Sequence, residues 1–285
     1  MRKTLLLTLA CTIALVPAFA GDKNKTKSSK MYFRAGGTYA FGAGGAYNYL
    51  TSVPISGKGT SVAGYPNALK LDINKASYSA GLWTNLALGF MFNKHLGVEL
   101  AVNTGVSTKK YKYSEDFAGI TATRTSYVKL PTIIAPALVM QTGGKCRIYT
   151  RLGLAIPIAA KVTVEDYAFA WPSSLTNNKE VKNGFSLGFT TAAGLKYALT
   201  DGIDAYIEAS GLFLKLKSKS AEVVELNSSG RDVLSEMTVA EREAVFSEQF
   251  TIGSPNQDPN QPTVLAPQSA QFSNVGIALG ISFDL

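Results

Sequence analysis

The chain has 285 residues, of which 46% are hydrophobic, and a formal net charge of +8. This length suits one large all-β domain or two small ones, and the basic residues are scattered rather than clustered, which argues against nucleic-acid binding. After the N-terminal segment no stretch approaches the roughly eighteen consecutive apolar residues of a transmembrane helix, so the sequence excludes helical spans.

Residues 1–20 have the three parts of a secretory signal peptide. Arg2 and Lys3 precede an apolar run, which ends in Ala18-Phe19-Ala20, so we expect cleavage after Ala20. An uncleaved anchor is the weaker alternative because the apolar run is short. A lipoprotein signal at Cys11 would have an imperfect lipobox before it. Residues 21–30 are polar and basic and predict a flexible arm.

Eight segments after the arm alternate large apolar residues with small or polar ones, which is the pattern of β-strands with two different faces. We expect a bulge or a broken ladder near Pro131 and Pro136, because proline cannot donate a ladder hydrogen bond. The alternation also changes near Gly211, which suggests a second bulge. The predicted strands are 31–47, 78–92, 96–107, 126–140, 146–164, 184–199, 203–217 and 270–285.

The connections between these strands alternate between long and short. Residues 93–95, 141–145 and 200–202 form short turns, whereas residues 48–77, 108–125, 165–183 and 218–269 form long polar loops. In the longest loop, Thr238 and Glu241 have the spacing of a capping box and predict a helix from Thr238 to Phe250.

Two folds fit alternating strands, a soluble sandwich and a membrane barrel. A sandwich has no reason to place its short turns at one end, and its outer face should be rich in charged residues. Here the face opposite the Leu/Ile/Val/Phe face is mostly Gly, Ala, Ser and Asn. We therefore predict an eight-stranded antiparallel transmembrane β-barrel over residues 31–285, with short periplasmic turns and long extracellular loops.

With its Ala18-Phe19-Ala20 leader, its eight strands and its ending Gly280-Ile281-Ser282-Phe283-Asp284-Leu285, the chain resembles the small outer-membrane β-barrel family of Gram-negative bacteria, the OmpA/OmpX-like, porin-family group. The resemblance implies that the last strand is a signal for the barrel assembly machinery, carried here by Phe283 and Leu285. Leu285 stands where that family usually has an aromatic residue.

The small-residue face carries charges of both signs, and an eight-stranded barrel has an interior just wide enough for side chains. Buried charges must pair, so we expect a salt-bridged plug; a gated ion path or a small polar ligand site is the alternative. The predicted members of this network are Arg34, Glu99, Lys129, Arg147, Arg151, Lys196, Asp204, Glu208 and Asp284.

Catalytic and metal sites have little support in the sequence. His95 is the only histidine and lies in a predicted periplasmic turn, and Cys146 is the only cysteine after the leader. Glu99, Asp204 and Glu208 could form an acid pair, although a structural network explains them as well. We expect no cofactor and no metal.

Aromatic residues in the long loops are candidates for contact with a ligand or surface, with self-packing of the loops as the alternative. These residues are Trp171, Tyr111, Tyr113, Phe246, Tyr65 and Phe250.

These patterns predict a non-enzymatic, monomeric protein of the outer membrane of a Gram-negative bacterium, with a structural or surface-interaction role through its extracellular loops. Its expected partners are outer-membrane lipid, the assembly machinery and an extracellular ligand or surface. One alternative is transport of small solutes or hydrophobic molecules, for which Pro131 and Pro136 mark a candidate defect in the wall. The other is an envelope lipid-modifying enzyme.

Overall fold

The computed structural model describes residues 31–43, 56–62, 65–74, 77–117, 120–170, 172–249 and 258–285. The predicted signal peptide and flexible arm lie outside these residues. None of the described helices is long and apolar enough to cross a membrane.

Seventeen strands of this part of the chain form one sheet. They are β1 (Met31–Gly42), β2 (Ser56–Val62), β3 (Tyr65–Asn74), β4 (Gly81–Met91), β5 (Leu96–Thr108), β6 (Tyr111–Phe117), β7 (Ile120–Gln141), β8 (Cys146–Ala170), β9 (Ser173–Asn183), β10 (Gly188–Thr200), β11 (Ile203–Phe213), β12 (Lys215–Ser228), β13 (Arg231–Asp232), β14 (Glu243–Phe246), β15 (Thr263–Leu265), β16 (Ser269–Gln271) and β17 (Asn274–Asp284).

Eight of these strands close into a barrel, as the alternation predicts. Each is antiparallel to both neighbours, in the order β1, β4, β5, β7, β8, β10, β11, β17 and back to β1. The closing seam joins β1 to β17 in an unbroken register from Tyr32–Asp284 to Gly42–Asn274. Closure removes both sheet edges, and it confirms the eight-stranded antiparallel barrel.

The predicted irregularity in β7 is present at Pro131. The β7–β8 register shifts between Lys129 and Ile133, and Leu130 has a positive φ of 44°. At Pro136 the register with β8 does not shift, but the pairing is interrupted between Ile134–Ile156 and Ala137–Gly153, as a broken ladder requires. The predicted bulge at Gly211 is wrong, since β11 keeps one register with β17 from Ile203 to Leu212. The inward-facing residues of β11 keep their parity there and change only in type, from Glu208 and Ser210 to Leu212.

The long connections contain strands, so describing them as loops was wrong. β7 and β8 continue beyond the barrel mouth, where β6 pairs with β7, β9 with β8 and β12, and β14 with β12. Two further pairings are parallel, β2 with β6 and β15 with β14. The sheet of the barrel wall therefore continues past the mouth at the long-loop end. We call this extension the upright sheet; it consists of β6, β9, β12, β14 and the outer parts of β7 and β8.

The predicted long helix is reduced to one turn. Thr238 and Glu241 form the capping box, with the Thr238 hydroxyl accepting from the Glu241 N–H. The α-helix then ends after Val239–Arg242, next to a 3₁₀ turn at Leu234–Glu236, and the chain continues as β14. Pairing of Ala244 with Ala221 in β12 outweighs the local helical preference.

Candidate functional site

The interior of the short-turn half of the barrel holds a closed ring of four charges. Arg34 Nη2 lies 2.9 Å from Glu99 Oε1, and Arg34 Nη1 lies 3.0 Å from Glu208 Oε2. Arg151 Nη1 lies 2.9 Å from the same Glu99 oxygen, and Arg151 also pairs with Glu208. Each arginine therefore binds both carboxylates and each carboxylate binds both arginines, with four different strands contributing one residue each.

Two tyrosines complete the coordination of the carboxylates. The Tyr32 hydroxyl donates to Glu99 Oε2 at 3.0 Å, and the Tyr149 hydroxyl donates to Glu208 Oε2 at 2.6 Å. The guanidinium of Arg34 lies 4.9 Å from the centre of the Tyr206 ring. Hydrogen bonds to every carboxylate oxygen offset much of the cost of removing these charges from water.

The other predicted interior charges fall into three groups. Arg147 pairs with Asp204, and Lys196 is buried with its ammonium 4.4 Å from the Tyr32 ring centre. Asp284 is exposed at the short-turn rim. Lys129 was wrongly placed inside, because the shift at Pro131 reverses the faces of β7 and leaves Lys129 exposed.

A second layer, near the long-loop end, is apolar. Trp83 and Phe272 meet edge to face with ring centres 5.9 Å apart, beside the buried side chains of Ile133 and Leu212. Trp83 Nε1 donates to Ser79 O at 2.8 Å, so its polar edge is satisfied. Leu214 and Leu216 carry this layer beyond the end of β11. The barrel interior is thus charged at one end and apolar at the other.

Between the two layers lies an internal cavity of about 60 Å³. Thr38, Asn85 and Asn103 line it and are linked by hydrogen bonds of 2.7 Å and 2.5 Å. A water molecule needs about 10–15 Å³ of such space, so the cavity has room for a few waters. It is far smaller than the roughly 300–1,000 Å³ of a small-molecule site.

A larger pocket of about 480 Å³ lies at the long-loop rim, where β1, β4 and β5 end. Its lining includes Phe41 and Leu82 from the outer face and Tyr111 and Ser77 from the buried side. The pocket exists because residues 77–80 fold inward over the barrel mouth instead of extending β4, as their burial shows. Neither Pro131 nor Pro136 is among the residues that line it.

The aromatic residues predicted as exposed loop contacts are mostly part of the loop packing. Tyr111 is buried and donates to Ser77 O at 2.8 Å, so its assignment as a surface contact was wrong. Phe246 packs against the apolar layer, and Tyr113 is half-buried with its hydroxyl 3.0 Å from Glu115 Oε2. Trp171 and Phe250 lie outside the described residues, as does the side chain of Tyr65.

Burial of this packing also changes how its tyrosines titrate. Desolvation raises the pKa of Tyr78 to about 12 and raises the pKa of Tyr111. The two rings meet edge to face at 6.1 Å. Both hydroxyls are therefore neutral at physiological pH. They serve as hydrogen-bonding groups inside the cap, which is the packing of residues 77–80 and Tyr111 over the barrel mouth.

The remaining candidate residues all stand at the short-turn end of the barrel, on different strands and turns. His95 is exposed in the first short turn, with Nδ1 3.1 Å from Gln141 O. Cys146 is an exposed free thiol. In the described part of the chain, no three His, Cys, Asp or Glu side chains group as metal ligands. At the C-terminus Phe283 stacks on Phe33 and Leu285 N–H donates to Met31 O at 2.9 Å, so both close the last seam.

Sequence reasoning missed the role of the interior aromatics. Tyr32, Tyr149, Tyr206 and Trp83 all stand on the small-residue face of their strands, which is an unusual place for bulky rings. Glycines on neighbouring strands leave room for some of them: a Cβ at Gly89 would overlap the Tyr32 ring. The pairing of a large aromatic residue with glycine across strands was the available signal.

Comparison with known proteins leaves the fold and the interior as the basis for interpretation. The sequence matches no protein-family model, and a search of curated proteins found no significant match.

Proposed function

We propose that the protein is an integral β-barrel of the outer membrane of a Gram-negative bacterium, with a non-enzymatic, structural or surface-interaction role. The observation that carries the proposal is the apolar outer wall. Every barrel strand exposes large hydrophobic side chains, for example Tyr39, Leu88, Leu100, Leu138, Leu152, Leu195, Ile207 and Leu279. An exposed patch that runs around the whole molecule is far larger than the few hundred Å² found on soluble monomers.

Aromatic residues border this wall at both ends. Phe33 stacks on Phe283 at the short-turn end, and Phe189 stacks on Phe213 at the long-loop end. On β1, Phe33 and Phe41 are eight residues apart, or about 26 Å of strand. Membrane barrels have an apolar band about 25 Å tall between two aromatic girdles, and this wall has similar dimensions even after the strand tilt shortens it to about 20 Å.

The filled interior favours a structural role over conduction. The charged ring and the apolar layer lie one after the other along the barrel axis, and the space between them is about 60 Å³. The upright sheet would then be the part of the protein that makes functional contacts, because the rigid barrel would present it outside the cell. The signal peptide expected at residues 1–20 and the closing strand with Phe283 and Leu285 fit export and barrel assembly.

Cell fractionation tests this proposal. The full chain, expressed in a Gram-negative host, should lose its leader and appear in the outer-membrane fraction, with faster electrophoretic mobility before boiling than after it. Deletion of residues 283–285 should abolish insertion, whereas deletion within residues 250–257 should leave it intact. Recovery of the full chain as a soluble periplasmic protein would contradict the proposal.

Transport of small hydrophobic molecules is the second candidate function, and the rim pocket favours it. Leu82 and Phe41 border the pocket on the outer face, while Ala40 lines both this pocket and the internal cavity. A path from the wall into the interior would need Trp83 to move. Quenching of Trp83 by a water-soluble brominated hydrophobic probe, in a Trp171→Phe background, distinguishes the two functions, since a transport path would bring the probe to the interior ring and a closed barrel would not.

A further inference from the structure

Three lysines form a row across the upright sheet just above the barrel. Lys129 in β7 is the direct register partner of Lys161 in β8, and Lys161 is the direct partner of Lys182 in β9. Their chain neighbours Val128, Val162 and Val181 also pair with one another and are buried. The inward valines fix the direction of the outward lysines, so this lysine row lies on one external face.

Like charges directly opposite each other on neighbouring strands are destabilising. Lys161 and Lys182 are partly neutralised by Glu180 and Glu222, with Nζ–Oε2 distances of 3.0 Å and 3.2 Å. Lys129 has no ion pair among the described residues. On the next strand, β12, Lys217 and Lys219 are exposed as well. The face keeps a positive excess that an external anion would relieve.

The row borders the upper edge of the apolar wall. Leu130 follows Lys129 directly and is 54% exposed, Ile158 precedes Lys161 by three residues and is 60% exposed, and Phe185 follows Lys182 by three residues and is 77% exposed. Three residues of strand span about 10 Å. Exposed hydrophobic and cationic groups therefore lie within the length of one lipid headgroup.

If the barrel spans a membrane as proposed above, the row lies at the headgroup level of the leaflet on the long-loop side. We propose that the lysine row binds the phosphate groups of lipids with a net negative headgroup in that leaflet, with the acyl chains against Leu130, Ile158 and Phe185. Lysines near a membrane surface attract anionic lipid in this way. The bound phosphates would also remove the repulsion between the paired lysines.

Lipid selectivity at the protein boundary tests the proposal. The full-length mature protein is reconstituted in phosphatidylcholine vesicles that contain spin-labelled phosphatidylglycerol or spin-labelled phosphatidylcholine, and electron paramagnetic resonance gives the motionally restricted fraction of each. We expect the wild type to restrict the anionic lipid with about a fivefold preference. The K129Q/K161Q/K182Q variant should lose most of it, and K129R/K161R/K182R should retain it.

The matched control K112Q/R124Q/R231Q removes the same charge from exposed residues beyond the row, farther from the barrel, and should keep the preference. An equal loss in the control would make the effect one of net charge and overturn the proposal. So would loss of the preference on adding inorganic phosphate at constant ionic strength, which would indicate a site for free phosphate. If neither labelled lipid is restricted, the membrane-barrel proposal itself fails; restriction without preference rejects the lysine row alone.

Discussion

Val128 and Ile133 both point into the interior from the same strand, although they are five residues apart. In a regular strand an odd separation places two side chains on opposite faces. The register shift between Lys129 and Ile133 adds one residue to the strand, and this extra residue allows both side chains to face the interior. Above the bulge Val128 therefore faces the cap, while below it Ile133 and Val139 face the interior and Leu138 and Met140 face outward on the wall.

Cysteine labelling should detect this reversal of faces. In a background with Cys11 and Cys146 changed to serine, Lys129→Cys should react with a polar maleimide in the folded protein, whereas Val128→Cys should react only after unfolding. Lys129 is exposed, whereas the Val128 side chain is only 1% exposed. Fast labelling at residue 128 and protection at residue 129 would show that β7 keeps a single register.

The charged ring should contribute strongly to stability. Glu208→Gln removes the carboxylate shared by Arg34 and Arg151 and should cost about 3–5 kcal/mol of unfolding free energy, because it leaves buried cations without their partner. Glu236→Gln breaks an exposed pair with Arg231 and should cost less than about 1 kcal/mol. Urea unfolding in detergent micelles, followed by electrophoretic mobility, measures both. Equal effects of the two substitutions would contradict a structural role for the ring.

Glycine opposite an interior aromatic should be essential for packing. A Cβ at Gly89 would overlap the Tyr32 ring, so Gly89→Ala should destabilise the barrel by about 1–3 kcal/mol. The cost should fall when Tyr32→Leu is already present, since the overlapping atoms are then gone. A double-mutant cycle measured by urea unfolding tests this, and purely additive effects would show that the two residues are independent.

The cap over the barrel mouth should loosen at high pH. The pKa of Tyr78 is raised to about 12 by burial, above its ordinary value of about 10. The stability that this difference provides is complete below about pH 10 and is lost as the pH rises towards 12. In a Trp171→Phe background, the emission of Trp83 should shift to the red over this range, and Tyr78→Phe should remove most of the shift. A shift that is unchanged in Tyr78→Phe would assign the transition to another group.

The fold was largely predictable because the barrel strands obey a single rule. Residues such as Ile277 and Gly276 alternate in size with period two, and the β1–β17 register follows that alternation without a break. The interior charges were predictable for the same reason, apart from Asp284, which is exposed at the rim, and Lys129. Its position depends on a bulge, which was expected from Pro131, but whether a bulge shifts the faces by one residue depends on tertiary packing.

The upright sheet was not predictable in the same way. Its strands have only short apolar stretches, such as the buried Val162 and Val181, among many polar residues, and cross-strand pairs such as Arg124–Asp166 and Lys182–Glu222 join them. Such pairs leave no periodic apolar signal in the sequence. The burial of Tyr111 also depends on residues 77–80 folding across the mouth, a contact between segments more than thirty residues apart.

The outer wall should contact lipid while the interior should not. Quenching by brominated phosphatidylcholine measures this directly, because bromine quenches only tryptophans that touch the acyl chains. In a Trp171→Phe background, the interior Trp83, which is 3% exposed, should be little quenched. In a Trp83→Phe/Trp171→Phe background, Leu152→Trp on the outer face should be strongly quenched. Equal, weak quenching at both positions would contradict a membrane-embedded barrel.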